Sequence, residues 1–316
     1  MIKTPVCDLV NIEYPIFQGG MAWISDGKFA ATVSNAGGLG IISAMNADAE
    51  YLRRQIKAAR ELTGRPFGVN IMLMSPFADE VAKVVVDEDV PVVTTGAGNP
   101  AKYMDSWLSA GIKVIPLVAS VAMARLMTRA GASAVIAEGC ESGGHIGETT
   151  TMALVPQVCD ATELPVIAAG GIGDGRGVAA AFMLGAQGVQ MGTRFLIADE
   201  CPIHQNYKEK IIKATDISTV ATGKRLGHPV RSLKTPFSRG YLKAEYDAAI
   251  SDADLEELGA GALRLAVVEG DNEKGCFLAG QIAGLVTKRQ TAAEIIGEIM
   301  EEAGMVLRGA NKWLTD

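Results

Sequence analysis

The chain has 316 residues, 48% of them hydrophobic and 21% charged, which is enough apolar material for a large buried core and too much for a disordered chain. Its formal net charge of −7 argues against nucleic acid as the main partner. No stretch reaches the roughly 18 apolar residues of a membrane span, and MIKTPVCDLVNIEYPIF lacks the charged and apolar regions of a signal peptide, so the expectation is a cytoplasmic protein with no membrane partner.

Short apolar runs follow one another along the chain: PIFQGG (15–20), LGIISA (39–44), FGVNIML (67–73), VPVVTTGAG (90–98), IKVIPLVAS (112–120), SAVIAEG (133–139), LPVIAAGG (164–171) and GVQMGTRF (188–195). They are continuously apolar rather than alternating, the pattern of strands buried on both faces of a parallel sheet. Amphipathic segments such as DAEYLRRQIKAARELT (48–63) and VAMARLMTRA (121–130) lie between them. The pitch of roughly 25 residues is that of β–α units, and eight of them point to a (β/α)8 TIM barrel. A doubly wound sheet also holds eight parallel strands, and the glycines at the strand ends favour the barrel.

After Phe195 the rhythm stops. Residues 200–213 read as helical, and 214 to about 276 carries turn signals, a basic loop (GKRLGHPVRSLKTPFSR, 223–239) and an acidic helix, SDADLEELGAGALRLAVVEG. The expected organisation is a barrel over 1–199, a smaller subdomain or lid over 200–276, and C-terminal helices over 277–316 that pack back on the barrel. Five cysteines, Cys7, Cys140, Cys159, Cys201 and Cys276, show no metal-type spacing and suit a reducing compartment. No metal site is expected.

In such a barrel the active site lies at the C-terminal ends of the strands. Glycines gather there at 19–20, 96 and 98, 143–144, 170–171 and 192, where a missing Cβ lets backbone approach a ligand. Turns after strands seven and eight are the usual phosphate site of barrels. The segments AAGGIGDGRG (168–177) and QMGTRF (190–195) therefore offer backbone N–H groups of Gly171, Gly173, Gly192 and Thr193 to a phosphate, helped by a helix N-terminus and the Thr193 hydroxyl. GRGVAA (175–180) imitates a dinucleotide fingerprint, but it lies inside a helix with no acidic ribose partner, so a Rossmann site is not expected. AEGCESGGHIG (137–147) follows strand six and places His145, one of three histidines, at the mouth, where an imidazole can hydrogen-bond a carbonyl or pass a proton. Glu138 and Glu141 stand beside it with three open roles: orienting the ring, bonding the ligand or capping a helix. His204 reads as a surface or helix residue, and His228 as a weaker candidate for substrate contact.

Taken together, FQGGMAWISDGKFAATVSNAGGLGIISA, RPFGVNIMLMSPFA, VVTTGAGNP, AEGCESGGHIGETTTMALVPQV, PVIAAGGIGDGRGVAAAFMLGAQGVQMGTRF, GHPVRS and EGDNEKGCFLAGQIAGLV closely resemble the flavin-dependent enoyl-[acyl-carrier-protein] reductase II (FabK) family, within the nitronate monooxygenase (2-nitropropane dioxygenase) group. The resemblance implies FMN across the barrel mouth. Gly20, Met21 and Ala22 would line one side of the flavin and Asn70 would hydrogen-bond it. Gly144, Gly170, Gly171, Gly173, Gln190, Gly192 and Thr193 would surround ring and phosphate, and His145 matches the family's active-site histidine. The implied reaction is reduction of trans-2-enoyl acyl carrier protein in type II fatty-acid synthesis, with NADH or NADPH as co-substrate. The resemblance further implies a homodimer, activation by a monovalent cation, and an acidic carrier protein that Lys224, Arg225, Arg231, Lys234 and Arg239 would attract. Two alternatives stand beside this reading: a nitronate monooxygenase, whose relatives often carry a basic residue near the end of strand five where this chain has Leu117 and Val118, and an FMN-binding barrel without catalysis.

Overall fold

The computed structural model describes residues 2–45 and 47–313. Its strands are β1 (Ile16–Gln18), β2 (Gly40–Ser43), β3 (Phe67–Met72), β4 (Val92–Gly96), β5 (Lys113–Val118), β6 (Val135–Glu138), β7 (Gly144–His145), β8 (Val166–Ala169), β9 (Gly188–Met191), β10 (Thr219–Thr222) and β11 (Val230–Leu233). Eight of these form one parallel sheet in the order β1-β9-β8-β6-β5-β4-β3-β2. A parallel bridge between Phe17 and Leu39 closes it, with Gln18 N–H donating to the Leu39 carbonyl and Leu39 N–H to that of Ile16, both at 2.9 Å. The fold is the TIM barrel expected from the eight apolar runs.

The unbroken apolarity of those runs has a direct cause. Phe17, Ile41, Val92, Ile115, Ile136 and Ile167 fill the barrel interior. Their chain neighbours Ile16, Ile42, Val93, Val114, Val135 and Ala168 pack outward against the helices. Both faces of each strand are therefore dry, as a covered parallel sheet requires. A short helix, Pro5–Val10, adds Val6, Cys7 and Val10 to the interior cluster and stops its N-terminal end. The helices between strands start on side-chain caps: Asp48 accepts from Tyr51 N–H ahead of Ala49–Leu62, and Ser120 from Met123 N–H ahead of Val121–Arg129.

Beyond β9 the chain makes a four-residue helix, Thr193–Leu196, and then helix Gln205–Ile212. β10 and β11 form an antiparallel pair, and β11 pairs in turn with β7, opposing Val230 to His145 and Arg231 to Gly144. Barrel and extension thus share a three-stranded sheet, and Leu233, Phe277 and Ala279 belong to the same core as Phe195 and Leu196. The acidic segment read as one helix is broken: Asp252–Gly259 ends, Gly261 turns the chain at φ 72°, and Ala262–Arg264 leads into a π turn, Leu265–Glu269. The last long helix, Ala292–Gly309, lies against helix Gly175–Met183 so closely that a Cβ on Gly175 would stand 2.4 Å from the Ala303 nitrogen.

Candidate active site

A cavity of about 270 Å³ opens at the C-terminal ends of the barrel strands. Of the residues singled out from sequence, Gly20, Met21, Ala22, Asn70, Gly144, His145, Gly170, Gly171, Gln190, Gly192 and Thr193 all line it. Gly173 does not. Its missing Cβ would face the Ile282 side chain at 3.2 Å, and Ile282 supplies that part of the wall instead.

The loop after β1 is held from below. The Ser25 hydroxyl accepts from Met21 N–H at 2.9 Å and from the Gln18 side-chain amide at 2.8 Å, which fixes residues 19–22 against the barrel. Gly20 sits on Asn70 with no room for a side chain: a Cβ there would lie 2.3 Å from Asn70 Cβ. The Thr94 hydroxyl donates to Asn70 Oδ1 at 3.0 Å. That bond occupies the amide oxygen and leaves the amide NH2 as the group available to a ligand in the cavity.

Three other glycines of the wall are open. A Cβ on Gly96 would meet nothing within 4 Å, one on Gly144 only Leu278 Cδ1 at 3.8 Å, and one on Gly192 Met21 Sδ at 3.5 Å. Side chains at these positions would fill the space that a flat ring needs in order to lie against backbone. Thr193 Oγ1 accepts from Gly280 N–H at 2.9 Å, so its own O–H remains a donor. The residues present therefore fit a flavin. The helix termini correct the sequence reading of the phosphate site. At the start of Gly175–Met183, Asp174 already accepts from Gly177 N–H, and Glu302 accepts from Gly175 N–H at 2.7 Å. Two carboxylates occupy that terminus, and the helix after β9 has only four residues, so the donors left for an anion are individual backbone amides and the Thr193 hydroxyl.

His145 stands on β7 at the cavity wall, with part of its surface open and its ring partly desolvated. Desolvation and the nearby His228 imidazole hold it below its ordinary 6.5, so it is neutral at pH 7. Both sides of its turn are tied to the extension. Ile146 N–H donates to the Pro229 carbonyl at 3.0 Å, and the Arg231 guanidinium donates twice to the Cys140 carbonyl, at 3.1 and 3.0 Å. The two neighbouring acids separate cleanly. Glu141 accepts from Thr151 N–H and Oγ1 at 2.9 Å each, capping helix Thr151–Cys159. Glu138, at the end of β6, lines the cavity, accepts one bond from Ser142 Oγ at 3.1 Å, and is pushed by burial to about 7. His204 accepts from Asn206 N–H as a helix cap. Sequence reasoning missed the share of the wall that comes from the extension, among it Val230, Leu278, Gly280 and Ile282. The signal for them was the pair of quoted segments GHPVRS and GCFLAGQIAGLV, in which no single residue type stands out.

The family model for nitronate monooxygenase matches residues 3–86 and 75–302. The structure of FabK from Thermotoga maritima superposes with a TM-score of 0.97 at 51% identity, covering 99% of this chain and 100% of that one. A probable nitronate monooxygenase of Staphylococcus saprophyticus is 34% identical, with 97% of this chain and 99% of the relative covered. A hydroxy-methyl-oxo-octahydroindene-carboxyl-CoA dehydrogenase of Mycobacterium tuberculosis is 32% identical, with 96% of each covered. By fold, by the wall of its cavity and by matches over nearly its whole length, the chain belongs to the nitronate monooxygenase family of oxidoreductases.

Proposed function

We propose that the protein is an FMN-dependent enoyl thioester reductase that takes electrons from NADH or NADPH and reduces a trans-2-enoyl group carried on acyl carrier protein. The observation that carries this reading is the match to FabK from Thermotoga maritima over 99% of the chain at 51% identity, well above the 34% and 32% shared with the nitronate monooxygenase and the CoA dehydrogenase. The dehydrogenase acts by name on a carboxyl-CoA, which supports a thioester as the substrate class.

The flavin, when bound, supplies hydride chemistry between nicotinamide and the enoyl double bond. The chain supplies position and charge. The Asn70 amide and Gln190 offer hydrogen bonds at one side of the cavity, and amides at Gly171, Gly192 and Thr193 offer donors to a phosphate. As hydride reaches Cβ, negative charge grows on the thioester oxygen, and a donor held there lowers the barrier. A neutral His145 provides that donor without taking the proton away. Loss of one such donor costs about 100- to 1,000-fold in rate. His145→Ala is expected to fall in that range on enoyl substrate, and a variant with undiminished turnover would refute the role.

Nitronate oxidation is the second reading, and Leu117 weighs against it. That apolar side chain lines the cavity at the end of β5, and none of the described lining residues is a lysine or arginine that could hold an anionic nitronate. The deciding assays are anaerobic NAD(P)H oxidation with crotonyl-CoA and, separately, oxygen consumption with a nitroalkane under air. Turnover with the nitroalkane alone would reverse the assignment. The carrier-protein patch is smaller than the sequence suggested. Arg225 is committed to the Ile250 carbonyl and Asp252, and Arg231 to the Cys140 carbonyl. Lys224, Lys234 and Arg239 remain exposed, and these are the cations proposed to meet an acidic carrier.

A further inference from the structure

Glu138 ends β6 inside the cavity wall, opposite Ala169 of β8. Among the described residues, no lysine, arginine or histidine pairs with it, and its hydrogen bond is the one it accepts from Ser142 Oγ at 3.1 Å. The ionisable groups on the elements around it are already engaged or neutral. Glu141 is held by Thr151, Arg231 by the Cys140 carbonyl, burial raises the Cys140 thiol, and His145 is neutral. A carboxylate without a counter-charge in such a place is costly, which favours the protonated form relative to an ordinary carboxyl.

Resting on the proposed reductase activity, we propose that Glu138 is the proton donor of the reaction, passing its carboxyl proton to Cα of the enoyl thioester while His145 keeps its hydrogen bond to the thioester oxygen. The balance is complete. The C=C π bond breaks, Cβ takes the hydride that a bound, nicotinamide-reduced flavin would supply, and Cα takes the proton of Glu138. Glu138 is left as carboxylate and recovers a proton from water at the cavity mouth. The division of labour follows from the two environments. A neutral imidazole gives up a ring proton with difficulty, whereas an acid that titrates close to the working pH is well matched to the task.

The test uses flavin-loaded wild type and Glu138→Gln, which keeps the size of the side chain and an acceptor for Ser142. Each protein is reduced anaerobically with NAD(P)H and mixed with crotonyl-CoA, and reoxidation is followed by flavin absorbance. Reoxidation of the wild type tests the reductase reading itself, and its absence would refute that reading whatever Glu138 does. Given wild-type reoxidation, E138Q is expected to load flavin and accept hydride from NAD(P)H normally but to reoxidise at least ~100-fold more slowly, the usual lower bound for loss of a general acid. Reoxidation within a few-fold of wild type overturns the proposal. Failure of E138Q to hold flavin also overturns it, by assigning Glu138 to cofactor binding. An infrared difference spectrum gives a readout apart from turnover: the wild type is expected to show a protonated-carboxyl band below neutral pH that E138Q lacks, and identical spectra would sink the assignment.

Discussion

Replacing Glu138 with glutamine is expected to change how the protein's stability responds to pH. Burial raises this carboxyl from its ordinary 4.5 to about 7, with the Ser142 bond opposing the rise. The folded chain therefore holds the proton more tightly than the unfolded one. Between those two values the native state carries more bound protons, and stability falls as pH rises. Below about 4.5 both states are protonated, and above about 7 both are ionised, so the loss is confined to that window. At about 1.4 kcal/mol per pH unit the full span amounts to about 3 kcal/mol, an upper bound that water entering the cavity would reduce. Glutamine has no such titration. His145 runs the other way: its lowered value makes its own contribution fall as pH drops through the histidine range, but it is common to both proteins and cancels in their difference. Urea unfolding of flavin-free wild type and E138Q, followed by circular dichroism at several pH values from about 4.5 to 8, gives that difference directly. It is expected to shift toward E138Q by about 2–3 kcal/mol across the window. Parallel curves would show that Glu138 titrates normally and would remove the physical basis for its role as an acid.

Three further outcomes are expected. Gly20→Ala pushes a methyl onto Asn70, 2.3 Å from its Cβ, and displaces the amide; fluorescence titration is expected to show flavin affinity reduced by about 10- to 100-fold, the equivalent of one or two lost hydrogen bonds. Arg231→Gln removes the paired guanidinium hydrogen bonds to the Cys140 carbonyl, which should lower unfolding stability by about 1.5–3 kcal/mol and slow enoyl reduction while the flavin Kd stays unchanged; a rate equal to wild type would show that the His145 turn does not need the clamp. Reversing Lys224, Lys234 and Arg239 to glutamate is expected to raise KM for carrier-bound substrate by roughly tenfold at low salt and to leave the CoA-borne substrate unaffected, whereas equal effects on both would dismiss the patch as a docking surface.

Several features of the barrel were legible because the forces behind them are local. A strand dry on both faces must be apolar at consecutive positions, and Ile41–Ile42, Val92–Val93 and Val114–Ile115 show it without any neighbour being known. Edges were less legible. The run 188–195 was read through to Phe195, whereas β9 stops at Met191 and Thr193–Leu196 turns helical. β7 has two residues, one of them glycine, and so carries no periodicity to find. Gly173 was placed at the phosphate because its neighbours are glycines, yet the backbone after β8 turns it toward Ile282, more than a hundred residues further along the chain.

The sequence by itself determined the barrel, the face on which its mouth opens, and the strand-end glycines, Thr193 and His145 of that mouth, because strand burial and turn chemistry are written in consecutive residues. Tertiary structure alone decided which acid keeps its proton, which arginines are spent, and what holds His145 in place. Those properties depend on desolvation and on contacts such as that between Arg231 and Cys140, 91 positions apart, and no local pattern encodes the distance between such groups.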